Sequence, residues 1–301
     1  MSPFPPFRSP KKNFITFGAG TKGIEDASQR LGNQAVASGF FDEVEVFSAS
    51  DLPPEVKELF APAGLEETRG FGFWAWKPYL INKKVESLLD GDVLVYLDAG
   101  SEINKDGAER FTYYLDFVAR HDVLVFPIPY QHRFWVKPHG SLRIETQNFF
   151  RNQVSAGMIM IRVSDLSRRI VSRWYELAFE NSGSALTEDV GQGEVFLDGF
   201  KGHRHDQSIL SHVIYSEKLT MIDRDESTHT PWSKGAEFPF LALRNKSGVS
   251  KLNRIFALNR YRSCISKVVT GFDSLRFKSL MYKGYSKMRN NLRSIFKRDA
   301  N

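Results

Sequence analysis

Three short stretches concentrate the side chains that could do chemistry. In GDVLVYLDAGSEIN (residues 91–104) an unbroken apolar run from Val93 to Leu97 ends in Asp98, followed by Ala99 and Gly100. A carboxylate at the carboxyl end of a buried strand is placed to meet a ligand, and the two nearly bare residues after it leave room for a bulky group to approach the backbone. In KGHRHDQSILS (residues 201–211), His203, Arg204 and His205 precede Asp206 and Gln207 at the start of an apolar helix. In GFGFWAWKP (residues 70–78), Phe71, Phe73, Trp74 and Trp76 crowd ahead of Lys77 at another helix start. Asp98 is a hard oxygen ligand suited to Mg²⁺ or Mn²⁺. His205 could join it on a metal, or Arg204 and Lys77 could neutralise phosphate directly, helped by the amides of a helix start. Each stretch also has a plain structural reading: Asp98 as a turn or cap residue, the histidines as surface residues, the aromatics as core. Trp76 or Trp74 could wall a planar ring. The loop YQHRFWVKPHG, with His132, Arg133, Trp135 and Lys137, could line a second ligand or be a solvated turn.

A fourth pattern, Gly18-Ala19-Gly20-Thr21-Lys22-Gly23, fits GxGxxG between a strand and a helix. With Glu45 as the acid near the next strand it could serve a dinucleotide; otherwise Gly18 and Gly20 cradle a base or ribose, or form a tight turn.

The surrounding periodicity predicts the elements that must position these residues. Strands are expected at 13–18, 44–47, 92–97, 123–126, 155–162 and 219–222. Helices are expected at 24–38, at the Pro53–Pro54 pair, and at 77–89, 108–120, 164–179 and 207–213. Ala27, Leu31 and Ala35 share one helix face, as do Leu80, Ile81, Val85 and Leu88. The alternation implies an α/β fold of Rossmann-like type, a mixed, mostly parallel sheet with helices on both faces.

The chain has 301 residues, 42% hydrophobic and 25% charged, which suffices for a core without staples. A single cysteine, Cys264, excludes an intrachain disulfide. No signal peptide and no apolar run of membrane-spanning length is apparent, so a cytoplasmic protein is expected. The net charge of +6 averages two unlike parts: from Lys251 onward 13 Lys/Arg face two acids, whereas the first 250 residues carry 28 Lys/Arg and 33 Asp/Glu. A body (1–245) and a basic tail (246–301) follow. In the tail, Phe277, Met281, Tyr285, Met288, Leu292 and Ile295 recur at helical steps among lysines and arginines. Such a basic amphipathic helix suits an anionic membrane surface, or docking on an acidic protein face. A nucleic-acid partner is not expected, because no recognised module accompanies the charge.

Taken in order, LDAG at Asp98, SAGMIMI at Ser155-Ala156-Gly157 and HRHDQSIL at Asp206-Gln207 resemble the GT-A nucleotide-diphospho-sugar glycosyltransferases. Within these the glycogenin-like group and its bacterial and viral surface-polysaccharide relatives are the most similar. The likeness covers residues 13–223. It implies a GT-A fold, a UDP- or GDP-sugar donor, a divalent cation, and a glycan or lipid-linked acceptor. By position, Asp98 matches the first aspartate of Asp-x-Asp, on the ribose or the metal. Ser155, Ala156 and Gly157 match an Asn-Ala-Gly that lies against the donor sugar. Asp206 and Gln207 match the pair beside the anomeric carbon, where Asp206 would be the base of an inverting reaction or, in a retaining one, would help stabilise the sugar cation. Gly100 departs from the pattern by replacing the second aspartate, which is a metal ligand in that family. Two alternatives stay open: an NAD(P)-dependent oxidoreductase using the glycine-rich turn, and a non-catalytic binding protein built on the same fold.

Overall fold

The structure is a computed structural model that describes residues 8–60, 64–143, 145–148, 150–189, 195–228 and 237–252. Its strands are β1 (Lys12–Phe17), β2 (Glu43–Phe47), β3 (Val93–Leu97), β4 (Glu102–Ile103), β5 (Val123–Leu124), β6 (Pro127–Gln131), β7 (Asn152–Val154), β8 (Met158–Arg162) and β9 (Phe240–Leu241). Its helices are α1 (Lys22–Ser38), α2 (Pro54–Lys57), the turn α3 (Arg69–Phe73), α4 (Trp76–Ser87), α5 (Ala108–His121), α6 (His132–Trp135), α7 (Asp165–Phe179) and α8 (His205–Ser216), with short 3-10 turns between some of them.

The central sheet has the order β2-β1-β3-β8-β5. The pairings β1–β2 and β1–β3 are parallel, and β3–β8 and β8–β5 antiparallel, so β8 alone runs against the other four. The two-residue period of a strand divides its side chains between two cores. Ile15, Phe17, Leu94, Tyr96, Ile159 and Ile161 face a cluster with Ile81 and Val85 of α4, Ile170 and Trp174 of α7, and Ile209 of α8. Phe14, Val95, Leu97, Met158 and Met160 face the other, with Leu31 and Ala35 of α1 and Phe111, Tyr114 and Val118 of α5. The sheet is thus a mostly parallel one covered by helices on both faces, as the periodicity implies.

Capping fixes the helix ends. Thr21 accepts a hydrogen bond from the Ile24 amide, and Gly39 closes α1 at φ 70°. Ser164 caps α7 where the sequence places it. The β1–α1 turn explains its first glycine by packing: a Cβ on Gly18 would stand 2.2 Å from Ser28 Oγ and 2.9 Å from the Ile24 carbonyl oxygen. Gly18→Ala is therefore expected to lose about 2 kcal/mol in a urea titration, as overpacking does elsewhere. Glu45, the acid of the dinucleotide reading, is paired with Lys84.

Two expectations change. Residues 219–222 form no strand; their apolar side chains fill gaps instead, with Ile222 in the α5-side core and Leu219 and Met221 against the other. The strand expected at 155–162 starts only at Met158 and is reversed, which carries Ser155 to Gly157 to the carboxyl end of β3. Contacts divide the chain into a unit Met1–Ser250 and a unit Lys251–Asn301. Residues 246–250, assigned from sequence to the tail, bond within the first unit through Ser247 and Ser250. The amphipathic stretch from Phe277 onward lies outside the described residues. Among the described residues no helix is long and apolar enough to cross a membrane.

Candidate active site

The site lies at the carboxyl end of β3. Tyr96 and Asp98, two residues apart, present the same face, and the Tyr96 hydroxyl donates to Asp98 Oδ1 at 2.6 Å. Lys77 reaches them from the first turn of α4. Its Nζ lies 3.1 Å from Asp98 Oδ1 and 2.9 Å from Asp206 Oδ2, the latter at the first turn of α8. The lysine side chain is 3% exposed and that of Asp206 6%, while Asp98 is 43% exposed. One ammonium thus holds two carboxylates, one sealed and one open to solvent.

The titration behaviour follows from that sharing. Burial lifts the Asp206 carboxyl to about 6 despite the opposing charge of Lys77, because a cation divided between two acids cannot offset the full desolvation of the buried one. Burial works to lower the Lys77 ammonium, but Asp206 and then Asp98 outweigh it and leave it above its ordinary value. Burial, followed by the Asp98 charge, drives the Tyr96 hydroxyl well upward, so it stays a proton donor.

A strained turn sets the lysine in place. Gly70, Phe71, Gly72, Phe73 and Trp74 all have positive φ, and each non-glycine residue there costs about 1–2 kcal/mol. Trp76 Nε1 ties the turn by donating to the Gly70 carbonyl at 3.2 Å, and its ring stacks on Phe17 at 4.1 Å. Trp76 is therefore a buried floor beneath the ammonium, which lies 5.6 Å from its ring centroid, rather than an open wall for a ligand ring.

The other sequence candidates fall around this triad. The Asp98 amide donates to the Gly157 carbonyl at 2.9 Å, and Asp98 Oδ2 lies where a Cβ on Gly157 would come, at 2.8 Å. The Gly157 amide donates to Ser155 Oγ, and Ala156 is core. Arg204, at the cap of α8, is half-buried with its guanidinium 4.3 Å from the Tyr130 ring centroid and 5.3 Å from that of Trp135. Gln207 donates to Gln153 Oε1 at 2.7 Å. Gly20 faces Phe71 of the strained turn.

Some candidates have structural partners elsewhere. His205 Nδ1 donates to the Leu186 carbonyl at 2.7 Å, and its ring stacks on Phe73. Lys137 is buried among the carbonyls of Ser184 and Asp189 and the Thr187 hydroxyl, so it is neither a ligand contact nor part of a solvated turn. His203 accepts from the Lys137 amide and donates to the Ala185 carbonyl, and burial presses it to about 3, so it stays neutral. Burial likewise presses His132 to about 3.

The donor set does not fit a divalent ion. Asp98 Oδ1 already receives the Lys77 ammonium and the Tyr96 hydroxyl, and Gly100 supplies no second carboxylate. His205 is turned into the Phe73–Leu186 surroundings. Among the described residues no three acid, histidine or cysteine side chains converge on one point. A groove of about 380 Å³ between α7 and α8 includes none of the triad in its lining.

Sequence patterns did not single out three further residues here. Arg30 donates to the carbonyls of Ala99, Ser101, Asn245 and Ser247, at 2.6–3.0 Å. Its one signal is a charge among the apolar positions of α1, between Ala27 and Leu31. Buried Glu102 accepts from Asn245, Gln34 and Ser250. Arg244 sits over Gly100.

No family profile and no curated protein matches the chain. Among solved structures it is similar to a glycosyltransferase involved in the glycosylation of the major capsid of PBCV-1, with 10% identity, a TM-score of 0.41, and 83% of this chain and 100% of that one covered. It is similar to mouse xyloside xylosyltransferase 1 in its apo form, with 12% identity, a TM-score of 0.40 and coverage of 73% and 89%. It is also similar to a putative glucose-1-phosphate thymidylyltransferase from Bacillus anthracis in complex with a sucrose, with 12% identity, a TM-score of 0.38 and coverage of 83% and 95%. Likeness at this level fixes no activity, and the chemistry must rest on the chain's own residues.

Proposed function

We propose that the protein is a glycosyltransferase that moves a sugar from a nucleoside-diphosphate donor, of UDP or GDP type, to a hydroxyl of a glycan or lipid-linked acceptor. The observation that carries this reading is Lys77 held between buried Asp206 and open Asp98 at the carboxyl end of β3. The motif resemblance at residues 98, 155–157 and 206–207 converges on the same edge of the sheet. A nucleotide-sugar fits such an edge, where ligands of open α/β sheets bind.

In the transfer, the bond from the anomeric carbon to the diphosphate oxygen breaks and a bond from that carbon to the acceptor oxygen forms. The acceptor's proton goes to the departing diphosphate oxygen. Asp206, already engaged by an ammonium and almost closed to solvent, acts as a fixed negative charge beside the sugar cation rather than as the receiver of that proton. Asp98, open to solvent, faces the ribose. The basic sequence after Lys251 supports an acceptor at an anionic lipid surface.

Asp98→Ala is expected to fold, because its side chain is half exposed, and to lose transfer by at least about 100-fold. Thermal shifts of the wild type with UDP, GDP, NAD and NADP test the donor class. Stabilisation by a nicotinamide nucleotide alone would overturn the transferase reading and favour the oxidoreductase one. Turnover of a UDP- or GDP-sugar by the wild type but not by Asp98→Ala supports the transferase.

A further inference from the structure

The place of a second carboxylate is filled by backbone. A Cβ on Gly100 would stand 3.2 Å from Arg244 Cα, and the Asn245 amide donates to the Gly100 carbonyl at 2.8 Å. The β4–β9 pairing delivers this segment, with Glu102 opposite Leu241. Arg30 then clamps it: one guanidinium spans the carbonyls on both sides of Gly100 and those of Asn245 and Ser247. Glu102 holds Asn245 from the other side at 2.7 Å. The result is a rigid lodging for Arg244, whose own side chain remains exposed.

Arg244 is also held at φ 50°, where glycine is at ease and an arginine is not. A strained, buttressed residue with an exposed charged side chain beside a candidate site calls for a functional reason. It lies beside the site: the glycine it covers is two residues beyond Asp98, as Arg204, at the cap of α8, is two residues ahead of Asp206.

Resting on the transferase reading, we infer that this protein neutralises its donor's diphosphate with arginine rather than a metal ion: Arg244, lodged on Gly100, together with Arg204, is the diphosphate-binding pair. Gly100 is then not a defect of a metal site but the clearance that admits the arginine-bearing strand. Lys77 between the two carboxylates, Arg204 at the cap of the helix that carries Asp206, and Arg244 over Gly100 set three cations against Asp98 and Asp206. That balance suits an anion, and guanidinium groups match phosphate oxygens in pairs. As the diphosphate leaves, its growing charge falls on groups already in place.

The test is calorimetric titration of the full chain with UDP, GDP, uridine and guanosine, in EDTA and in MnCl₂. The diphosphate is expected to bind equally well, within about twofold, in both conditions. A lost charge-assisted contact should weaken it by about tenfold or more in Arg244→Gly, with the nucleoside unaffected. Arg244→Lys should retain an intermediate affinity. Because glycine relaxes the backbone at 244, Arg244→Gly is expected to keep or raise the Tm, so weakened binding cannot be laid to misfolding. Diphosphate binding that requires Mn²⁺ would overturn the inference and leave the transferase reading standing. Wild-type diphosphate affinity in Arg244→Gly would do the same. If neither UDP nor GDP binds the wild type in either condition, both fall together.

Discussion

Lys77→Met is expected to destabilise the protein by about 2–4 kcal/mol at pH 7.5 and by less than about 1 kcal/mol near pH 4. Methionine keeps all but the last atom of the side chain's length and its packing near Trp76, so the change removes the charge while opening little space. What remains is a buried carboxylate without its cation. Its response is to take up a proton, which sets a ceiling: Asp206 already titrates near 6 beside Lys77, and holding it protonated at pH 7.5 adds about 1.4 kcal/mol per further unit. Lost favourable contact with Asp98 makes up the rest. The sign follows from linkage. Without Lys77 the folded pKa rises further above the unfolded 3.8, so the variant loses stability over a longer stretch of rising pH. Below about pH 4 the acid is protonated folded or unfolded, and the difference closes. Urea titrations at both pH values measure it. Asp206→Asn should add at least about 1 kcal/mol more stability to Lys77→Met than it adds to the wild type, a non-additivity that marks direct coupling. A Lys77→Met protein equally weakened at both pH values would show that packing, not charge, is what the lysine supplies.

The elements around this site were legible where local rules decide them. Leu80, Ile81 and Val85 announce α4, Ser164 announces the start of α7, and Val93 to Leu97 can hardly be anything but a buried strand. Direction was not legible: MIMIR reads the same parallel or antiparallel, because a strand buried on both faces carries no sign of its neighbour's orientation. Nor was pairing. Each member of the Lys77–Asp98–Asp206 triad stood out singly, but 129 positions separate the first from the last, and no periodicity reports a contact at that range. The lysine, read as a phosphate contact, belongs first to two aspartates. Trp76 shows the reverse error. An indole ahead of a lysine looks like a ligand wall, yet the left-handed turn from Gly70 to Trp74 folds it into the core. Arg30 and Arg244 escaped because their partners are mostly backbone carbonyls and a glycine, which leave no mark in residue types.

Asp206→Asn is expected to separate stability from activity. The amide has the shape of the acid but no charge to desolvate. In the wild type the folded pKa of about 6 stands above the unfolded 3.8. Protonation therefore stabilises the fold: that contribution is whole below about pH 4 and is lost as pH rises through 6, by about 3 kcal/mol. The amide cannot titrate, so the variant should match the wild type near pH 4 and exceed it by up to about 3 kcal/mol at pH 8, somewhat less where Lys77 misses its second partner. Transfer should fall at least about 100-fold, because the charge that opposes the sugar cation is gone. For the same reason wild-type kcat/KM should climb with pH and level off above about 6 to 7 as Asp206 ionises. A buried carboxylate kept at the expense of stability is the arrangement the proposed transfer would need, with its ionised form in use. An Asp206→Asn protein less stable than wild type at pH 8 would mean the triad is a structural brace, and one with undiminished transfer would remove Asp206 from the reaction.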